Sequence, residues 1–458
     1  LAKFAGASKE ELANLRPHYN EGLRLASVAP VNTADTKKFT YVIPYTNPRG
    51  ASRENRAFAT TYLDEWQRAD IADPRWDKAD RVTRQSKNSS VWYDIEPVPS
   101  FVDMALFYHK KMYETFADGI YWDNFFLKPC YVPAEAGGPA YIDDDGRLQP
   151  GVNLMAFRNL AKRNAVMMHV MGKRPLSYIH MTNVDIVPML AFGTLNLDWE
   201  WRDQGANATK DLQTRLGADR DTDLILAQSL GLQAGNISVG ISRFEPPKGS
   251  LVTREWLYRT VMAVCFPHEI KIDQGSKEVS FVQQQLARFG YGQPDCKVYR
   301  YWEDGFPLKT EGAKMHALVL ARNGKALIAL GNYGAAKAAD QESATSQPSV
   351  EEYDAGKQKP AKAEALAATE TYTVRLILNL PALGLPEDAQ AHDVELKAGI
   401  SKTEYLQPVK APVGRSKKNP KKDLEVKLEA DLSPLKRIAP GVFELRIAKH
   451  DFALIQVE

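Results

Sequence analysis

The sequence predicts a mixed α/β chain: a (β/α)8 barrel lacking its first units, followed by a C-terminal antiparallel β-sandwich. Up to about residue 290, short apolar runs alternate with amphipathic stretches, the pattern of a parallel sheet with crossover helices. From about Cys296 the runs alternate apolar and polar residues with no helical stretch between them, as in a sandwich. No G-x-G-x-x-G and no G-x-x-x-x-G-K-[ST] follows any apolar run, so the rival, a doubly wound nucleotide-binding sheet, lacks its signature. A chain of 458 residues exceeds what one hydrophobic core usually serves. Two domains are therefore expected, 1–295 as the barrel and 296–458 as the sandwich.

In chain order, a helix near 8–26 precedes the first strand, FTYVIPY at 39–45, and a second helix is expected near 54–68. VWYDIEP reads as irregular. Ser100, preceded by Pro99 and followed three residues on by Asp103, has the spacing of a capping box. Behind it Phe101, Met104, Ala105, Tyr108 and Met112 follow helical spacing. GIYWDN (119–124) is the next strand, and a Gly-, Pro- and Asp-rich loop leads from it to a helix near 153–171. LSYIHMTN (176–183), LNLDWEWRD (195–203), NISVGIS (236–242) and HEIKI (268–272) complete the strands, with helices near 223–234, after a Thr253 cap, and near 278–289. Six strands are two short of a closed barrel, so either an upstream segment of the same protein or strands without a clear local pattern are expected to supply the rest.

In the sandwich, MHALVLAR, KALIALGNY, TYTVRLILNL, DLEVKLEADL, GVFELRIA and FALIQVE are the expected strands. Two long surface loops interrupt them, at 334–370 and at 408–423, the second carrying Arg415, Lys417, Lys418, Lys421 and Lys422.

Composition narrows the function classes. Lys+Arg 59 against Asp+Glu 57 is too balanced for a nucleic-acid partner. No apolar run is long enough to span a membrane. Cys130, Cys265 and Cys296 form no C-x-x-C pair, so a zinc or redox site is not expected, and no cofactor is implied. Three cysteines leave the compartment open; a secreted, periplasmic or cell-surface location is the expectation. The 8 Trp and 19 Tyr suit sugar-binding platforms, with core packing as the plain alternative.

In a barrel, chemistry sits at the carboxyl ends of the strands. GIYWDN ends there in Asp123, and alternation groups Asp123 with Tyr121 and sets Trp122 with Asn124 on the other face. A carboxylate closing an apolar strand is costly unless paired or working; a structural or helix-capping Asp is the alternative. LNLDWEWRD repeats the theme, grouping Asp198, Glu200 and Arg202 against Trp199 and Trp201. An ion-pair network would explain these residues too, yet adjacent indoles can raise a carboxyl pKa as a general acid requires. Tyr178, His180, Thr182 and Asn183 bring hydrogen-bonding groups to the same rim, and Tyr45 and Arg243 extend it.

The expected site is thus Asp123 as nucleophile and Glu200 as acid/base. Tyr45, Tyr121, Trp122, His180, Asn183, Asp198, Trp199 and Arg243 are expected to contact a carbohydrate substrate. Glu65, Glu96 and the Asp143–Asp145 cluster are competing carboxylates; the cluster could hold Ca²⁺, but lacks the ligand spacing of an EF-hand, and no metal site is expected.

At GIYWDN the sequence resembles the nucleophile-bearing fourth strand of retaining α-glycosidases with (β/α)8 barrels, the α-galactosidase and α-N-acetylgalactosaminidase families. The resemblance implies a glycoside hydrolase with a barrel followed by a β-sandwich and an acid/base on a later strand, here LNLDWEW. Glu200 departs from it, since several such families use Asp there. A non-catalytic carbohydrate-binding or cell-surface assembly protein on a degenerate barrel is the other reading. It would be marked by loss of one rim carboxylate.

Overall fold

The computed structural model of the chain describes residues 41–52, 61–66, 82–85, 91–125, 127–180, 186–201, 235–242, 254–273, 277–334, 370–396 and 430–458. The expected helices at 8–26 and 223–234, the Thr253 cap, and the bulk of both expected surface loops lie outside these residues. The chain divides into two compact units, residues 1–199 with 230–239 and residues 200–229 with 240–458.

In the first unit, strands β1 (Tyr45–Thr46), β2 (Gly119–Trp122) and β3 (Leu176–His180), with β4 (Leu195–Trp201) as far as Trp199 and β5 (Ile237–Ser242) as far as Val239, lie side by side in that order. β1 to β4 pair in parallel, and the pairing of the described strands is an open row without barrel closure. β1 is shorter than FTYVIPY suggested, although the backbone bonds Gly119 N to Val42 O and Tyr121 N to Pro44 O extend the pairing before it.

The register sets the faces. Tyr45, Tyr121, Tyr178 and Leu195 form one row across the sheet; Thr46, Trp122, Ile179 and Asn196 form the next. Ile120, Trp122 and Ile179 face helix α1 (Pro99–Thr115) and helix α2 (Leu154–Val170), packing on Val102, Leu106 and Met112 of the first and Phe157, Leu160 and Met168 of the second. Each such side chain, fully buried, contributes about 1.5–3 kcal/mol. Gly119 allows β2 and β3 to approach: a Cβ there would lie 2.5 Å from the Leu176 carbonyl oxygen. Inside the helix pair, the Tyr113 hydroxyl donates to Asn164 Oδ1 at 2.8 Å.

Helix α1 starts two residues earlier than the capping-box spacing implied. Pro99 occupies its first turn, with its φ preset for helix, and the N-cap is Val98 with no side-chain hydrogen bond. Ser100 is therefore inside the helix, where its hydroxyl donates to Glu65 and accepts from Trp66 Nε1 at 2.8 Å. Asn153 does cap α2, accepting from Ala156 N at 3.1 Å. The VWYDIEP segment is more regular than expected: Val91–Asp94 pairs antiparallel with Gly50–Ser52 and Val82–Gln85.

The second unit contains helices α3 (Arg254–Cys265) and α4 (Lys277–Phe289) and two antiparallel sheets. One runs in the order 297–300, 315–322, 325–332, 452–457, 391–396, 430–434; the other in the order 308–311, 371–378, 442–448, 436–439. Their inner faces share one core, including Val319, Ile328, Leu330, Val374, Leu376, Phe443, Leu445 and Ile455. Residues 254–295 belong to the same unit as these strands. Helix α3 lies directly on the sheet, for a Cβ on Gly331 would sit 2.0 Å from the Ala263 carbonyl oxygen. HEIKI is not one strand: His268 closes a 3₁₀ turn, Glu269 takes φ 60°, and the strand is Lys271–Asp273. AHDVEL (391–396) is a strand that its polar residues concealed.

Candidate active site

Asp123 follows the last residue of β2, where the backbone is still held on both sides: Asp123 N donates to Thr46 O and Phe125 N to His180 O, each at 2.8 Å. The register that pairs Tyr121 with Tyr178 carries Asp123 alongside His180. His180 Nδ1 lies 3.0 Å from Asp123 Oδ1 and 2.6 Å from the Tyr121 hydroxyl. A carboxylate oxygen this close requires the proton on Nδ1, so the Tyr121 oxygen is an acceptor in this contact. The Tyr45 hydroxyl donates to Asp123 Oδ2.

Asn124 completes the cradle. It adopts φ 55°, a left-handed conformation that Asn tolerates better than most residues. That turn aims its backbone N–H at Asp123 Oδ1 (2.9 Å) and its amide Nδ2 at Oδ2 (3.1 Å).

These contacts decide the charge of the carboxyl. Partial burial alone would raise its pKa, but the hydrogen bonds from His180 and Tyr45, the charge on His180 and the Asn124 N–H outweigh it, so Asp123 lies below the ordinary carboxylate range. Its side chain keeps 18% of its surface exposed. The result is a fixed, ionised and reachable carboxylate at the carboxyl end of a parallel sheet.

Tyr45 stacks on Tyr121 with centroids 5.4 Å apart, and Tyr178 meets Tyr121 edge-on at 4.9 Å. Tyr45, Tyr121, Asp123 and His180, all picked out in the sequence, therefore come together. Trp122, expected to touch substrate, does not join them: it is fully buried on the helix side of the sheet, stacked on Phe125 at 5.2 Å. One-residue alternation places it there, because its row neighbour is Ile179 and not His180. Asn183 and Arg243 lie outside the described residues, as do the side chains of Asp198, Trp199 and Glu200, whose backbone is in β4. Asn124 was missed as a ligand of Asp123; an Asn directly after a strand-ending Asp was the available signal.

The competing carboxylates have structural partners. Glu65 accepts from Ser100. Glu96 is fully buried 3.8 Å from Arg49, whose guanidinium lies over the Phe157 ring. Asp143 accepts from the Asp145 and Arg147 amides at 3.1 and 2.8 Å and from Gln149 Nε2 at 2.7 Å, which uses its oxygens to close a turn. Among the described residues no group of three or more His, Cys, Asp or Glu is arranged to hold a metal ion. The three cysteines are buried and unpaired with one another. No described helix is long and apolar enough to cross a membrane.

No protein-family model matches the chain, and no curated protein matches it. Among solved structures, it is similar to a noncanonic maltogenic α-amylase from Thermotoga neapolitana, at 10% identity and TM-score 0.45 over 99% of this chain and 96% of that one. It is also similar to an α-amylase from Geobacillus thermoleovorans in complex with acarbose, at 9% identity and TM-score 0.44 over 92% and 78%. A third is an α-amylase from Lactobacillus plantarum, at 10% identity and TM-score 0.37 over 90% and 77%. Scores of this size describe a partial superposition and assign neither a family nor an activity. The α-galactosidase-like subtype rests on the GIYWDN motif alone.

Proposed function

We propose that the chain is a glycoside hydrolase that cleaves O-glycosidic bonds of an oligo- or polysaccharide with retention, Asp123 acting as nucleophile and Glu200 as general acid/base. The observation that carries the reading is the state of Asp123: ionised by four donated contacts, held on two strand edges, and still exposed. A carboxylate nucleophile needs these properties, since only the charged form attacks the anomeric carbon and a fixed position lowers the entropic cost of attack. The stacked Tyr45 and Tyr121 rings on the same face supply an apolar wall and hydroxyls for a sugar.

In this mechanism Glu200 protonates the departing glycosidic oxygen while Asp123 forms the covalent glycosyl ester. Glu200 then takes a proton from the water that hydrolyses the ester, restoring both groups. Retention requires the two carboxyl groups about 5–5.5 Å apart; about 6.5–9.5 Å would mean inversion with water between them. Asp198, the neighbouring carboxylate of the same strand, is the competitor for the acid/base role.

The test is to assay aryl glycosides and polysaccharides with Asp123→Asn, Glu200→Gln and Asp198→Asn. Asp123→Asn and Glu200→Gln are expected to lose roughly 10²–10⁴ in rate, the Glu200→Gln loss shrinking on substrates with good leaving groups. Azide should rescue Asp123→Gly, giving a glycosyl azide. Wild-type turnover in both Asp123→Asn and Glu200→Gln would refute the assignment. A loss confined to Asp198→Asn and Asp123→Asn would transfer the acid/base role to Asp198.

A further inference from the structure

The two oxygens of the Asp123 carboxyl are held in different ways. Oδ1 accepts from His180 Nδ1 at 3.0 Å and from the Asn124 N–H at 2.9 Å. His180 is 2% exposed, so this oxygen sits against the buried side of the site. Oδ2 accepts from the Tyr45 hydroxyl and from Asn124 Nδ2 at 3.1 Å. Tyr45 is 38% exposed, and access to the carboxyl is therefore from the Oδ2 side. Strand order builds the asymmetry, since β1 brings Tyr45 and β3 brings His180 to opposite flanks of β2. The Tyr45 ring is steadied in turn by its stack on Tyr121.

A hydrogen bond to a charged oxygen is about twice as strong as one to a neutral oxygen. A donor on an oxygen that changes charge during a reaction therefore controls rate. In the first step of a retaining cleavage, a lone pair of the attacking oxygen forms the bond to the anomeric carbon. The bond to the leaving oxygen breaks, and that oxygen takes the proton of the acid. The attacking oxygen loses its charge, so a donor on it stabilises the starting carboxylate more than the transition state. In the second step a water oxygen bonds to the anomeric carbon and the base takes its proton. The electron pair of the ester C–O bond then returns to the carboxylate. Charge now grows on that oxygen, and the same donor favours the transition state over the ester.

We propose that Oδ2 is the attacking oxygen of Asp123 and that the Tyr45 hydroxyl is a catalytic group of the second step, speeding release of the sugar by stabilising the departing carboxylate. Oδ1 becomes the ester carbonyl oxygen and keeps its two donors throughout. The proposal rests on the glycosidase reading of the Asp123 site and deepens it, from the identity of the nucleophile to the control of the lifetime of the covalent intermediate.

The test is Tyr45→Phe, which keeps the ring on Tyr121 and removes only the hydroxyl. Stopped-flow assays use a panel of 4-nitrophenyl hexosides and pentosides, whose good leaving group makes the second step limiting. On the glycosides that the wild type cleaves, kcat should fall about tenfold, the difference between donating to a charged and to a neutral oxygen. KM should fall with it, and kcat/KM, which reports the first step, should be held or rise. A burst of one equivalent of nitrophenol should precede the steady state. Mass spectrometry after acid quenching should then find a glycosyl ester on the peptide that carries Asp123. If kcat and kcat/KM fall together without ester, Tyr45 only positions the carboxylate. If KM alone rises, Tyr45 is a substrate contact. Either result overturns the proposal, as do unchanged kinetics. Failure of the glycosidase reading shows differently, as a wild type that releases no nitrophenol from any member of the panel, or as an Asp123→Asn variant that keeps its turnover.

Discussion

Two clusters in this molecule are built from the same residue types and differ in what they are able to do. In the first unit, His180 meets Tyr121 and the carboxylate of Asp123. In the second unit, His268 and His316 sit among Tyr301, Trp302 and Tyr333. His268 stacks on Trp302 at 5.9 Å, and His316 lies over Tyr301 at 4.2 Å and against Tyr333 at 4.1 Å. His268 Nδ1 donates to the Val264 carbonyl at 2.6 Å and its Nε2 accepts from Tyr301 at 2.8 Å, so both nitrogens are spent. No carboxylate is among these contacts. Burial then holds His268 down to about 4 and His316 down to about 2, so both remain neutral. The lesson is that an imidazole buried among aromatic rings stabilises by packing, whereas one placed beside a carboxylate helps to keep a charge in place.

The largest expected effect is on stability against pH. His268 has a folded pKa of about 4 against an ordinary 6.5, so the unfolded chain binds more protons between those values. Its contribution is complete above pH 6.5 and is lost as pH falls toward 4, amounting to about 3 kcal/mol for a shift of this size. His109, held at about 3 by burial between α1 and the sheet, adds to the same slope. Asp123 acts in a separate window, because its depressed pKa removes stability only below the ordinary carboxylate value. Urea titrations from pH 7 to 4 should show the midpoint falling well before carboxylates protonate; a flat midpoint down to pH 4.5 would contradict the neutral imidazoles.

The next test replaces each imidazole by an apolar ring. His180→Phe should cost about 1.5–3 kcal/mol, the worth of a hydrogen bond to a charged group. It should also raise the Asp123 pKa, since burial then acts with less opposition; carboxyl ¹³C NMR reads that directly. His316→Phe should leave stability unchanged or raise it by about 1 kcal/mol, because His316 Nδ1 is buried without a hydrogen-bond partner among the described residues. Equal losses in the two variants would erase the distinction between the clusters.

The smallest effect is expected from Tyr121→Phe, about 0.5–1.5 kcal/mol for one hydroxyl contact to His180. The ring stack with Tyr45 stays, so thermal unfolding should shift by only a few degrees while the Asp123 titration is preserved. A large rise in the Asp123 pKa would mean that Tyr121 orients His180 more strongly than this contact implies.

Taken by itself, the sequence determined the elements whose signals are local. Apolar runs marked GIYW, LSYIH and LNLDWEW as strands, and the amphipathic stretches between them marked α1 and α2, because each depends on neighbours within a few residues. It also singled out Asp123, since a carboxylate closing an apolar strand is conspicuous without knowledge of its surroundings. Tertiary structure decided the rest. Only the pairing of Tyr121 with Tyr178 brought His180 to Asp123, and the same pairing sent Trp122 to the helix side with Ile179. Ser100 does not cap α1, because the helix starts at Pro99 behind Val98 and the Ser100 hydroxyl is engaged by distant Glu65 and Trp66. His268, Tyr301, His316 and Tyr333 lie on separate segments of the chain, and nothing local announces that they will share one aromatic box. Backbone propensity and alternation act over a few residues, whereas register, burial and pKa arise from contacts between segments that meet only when the chain has folded.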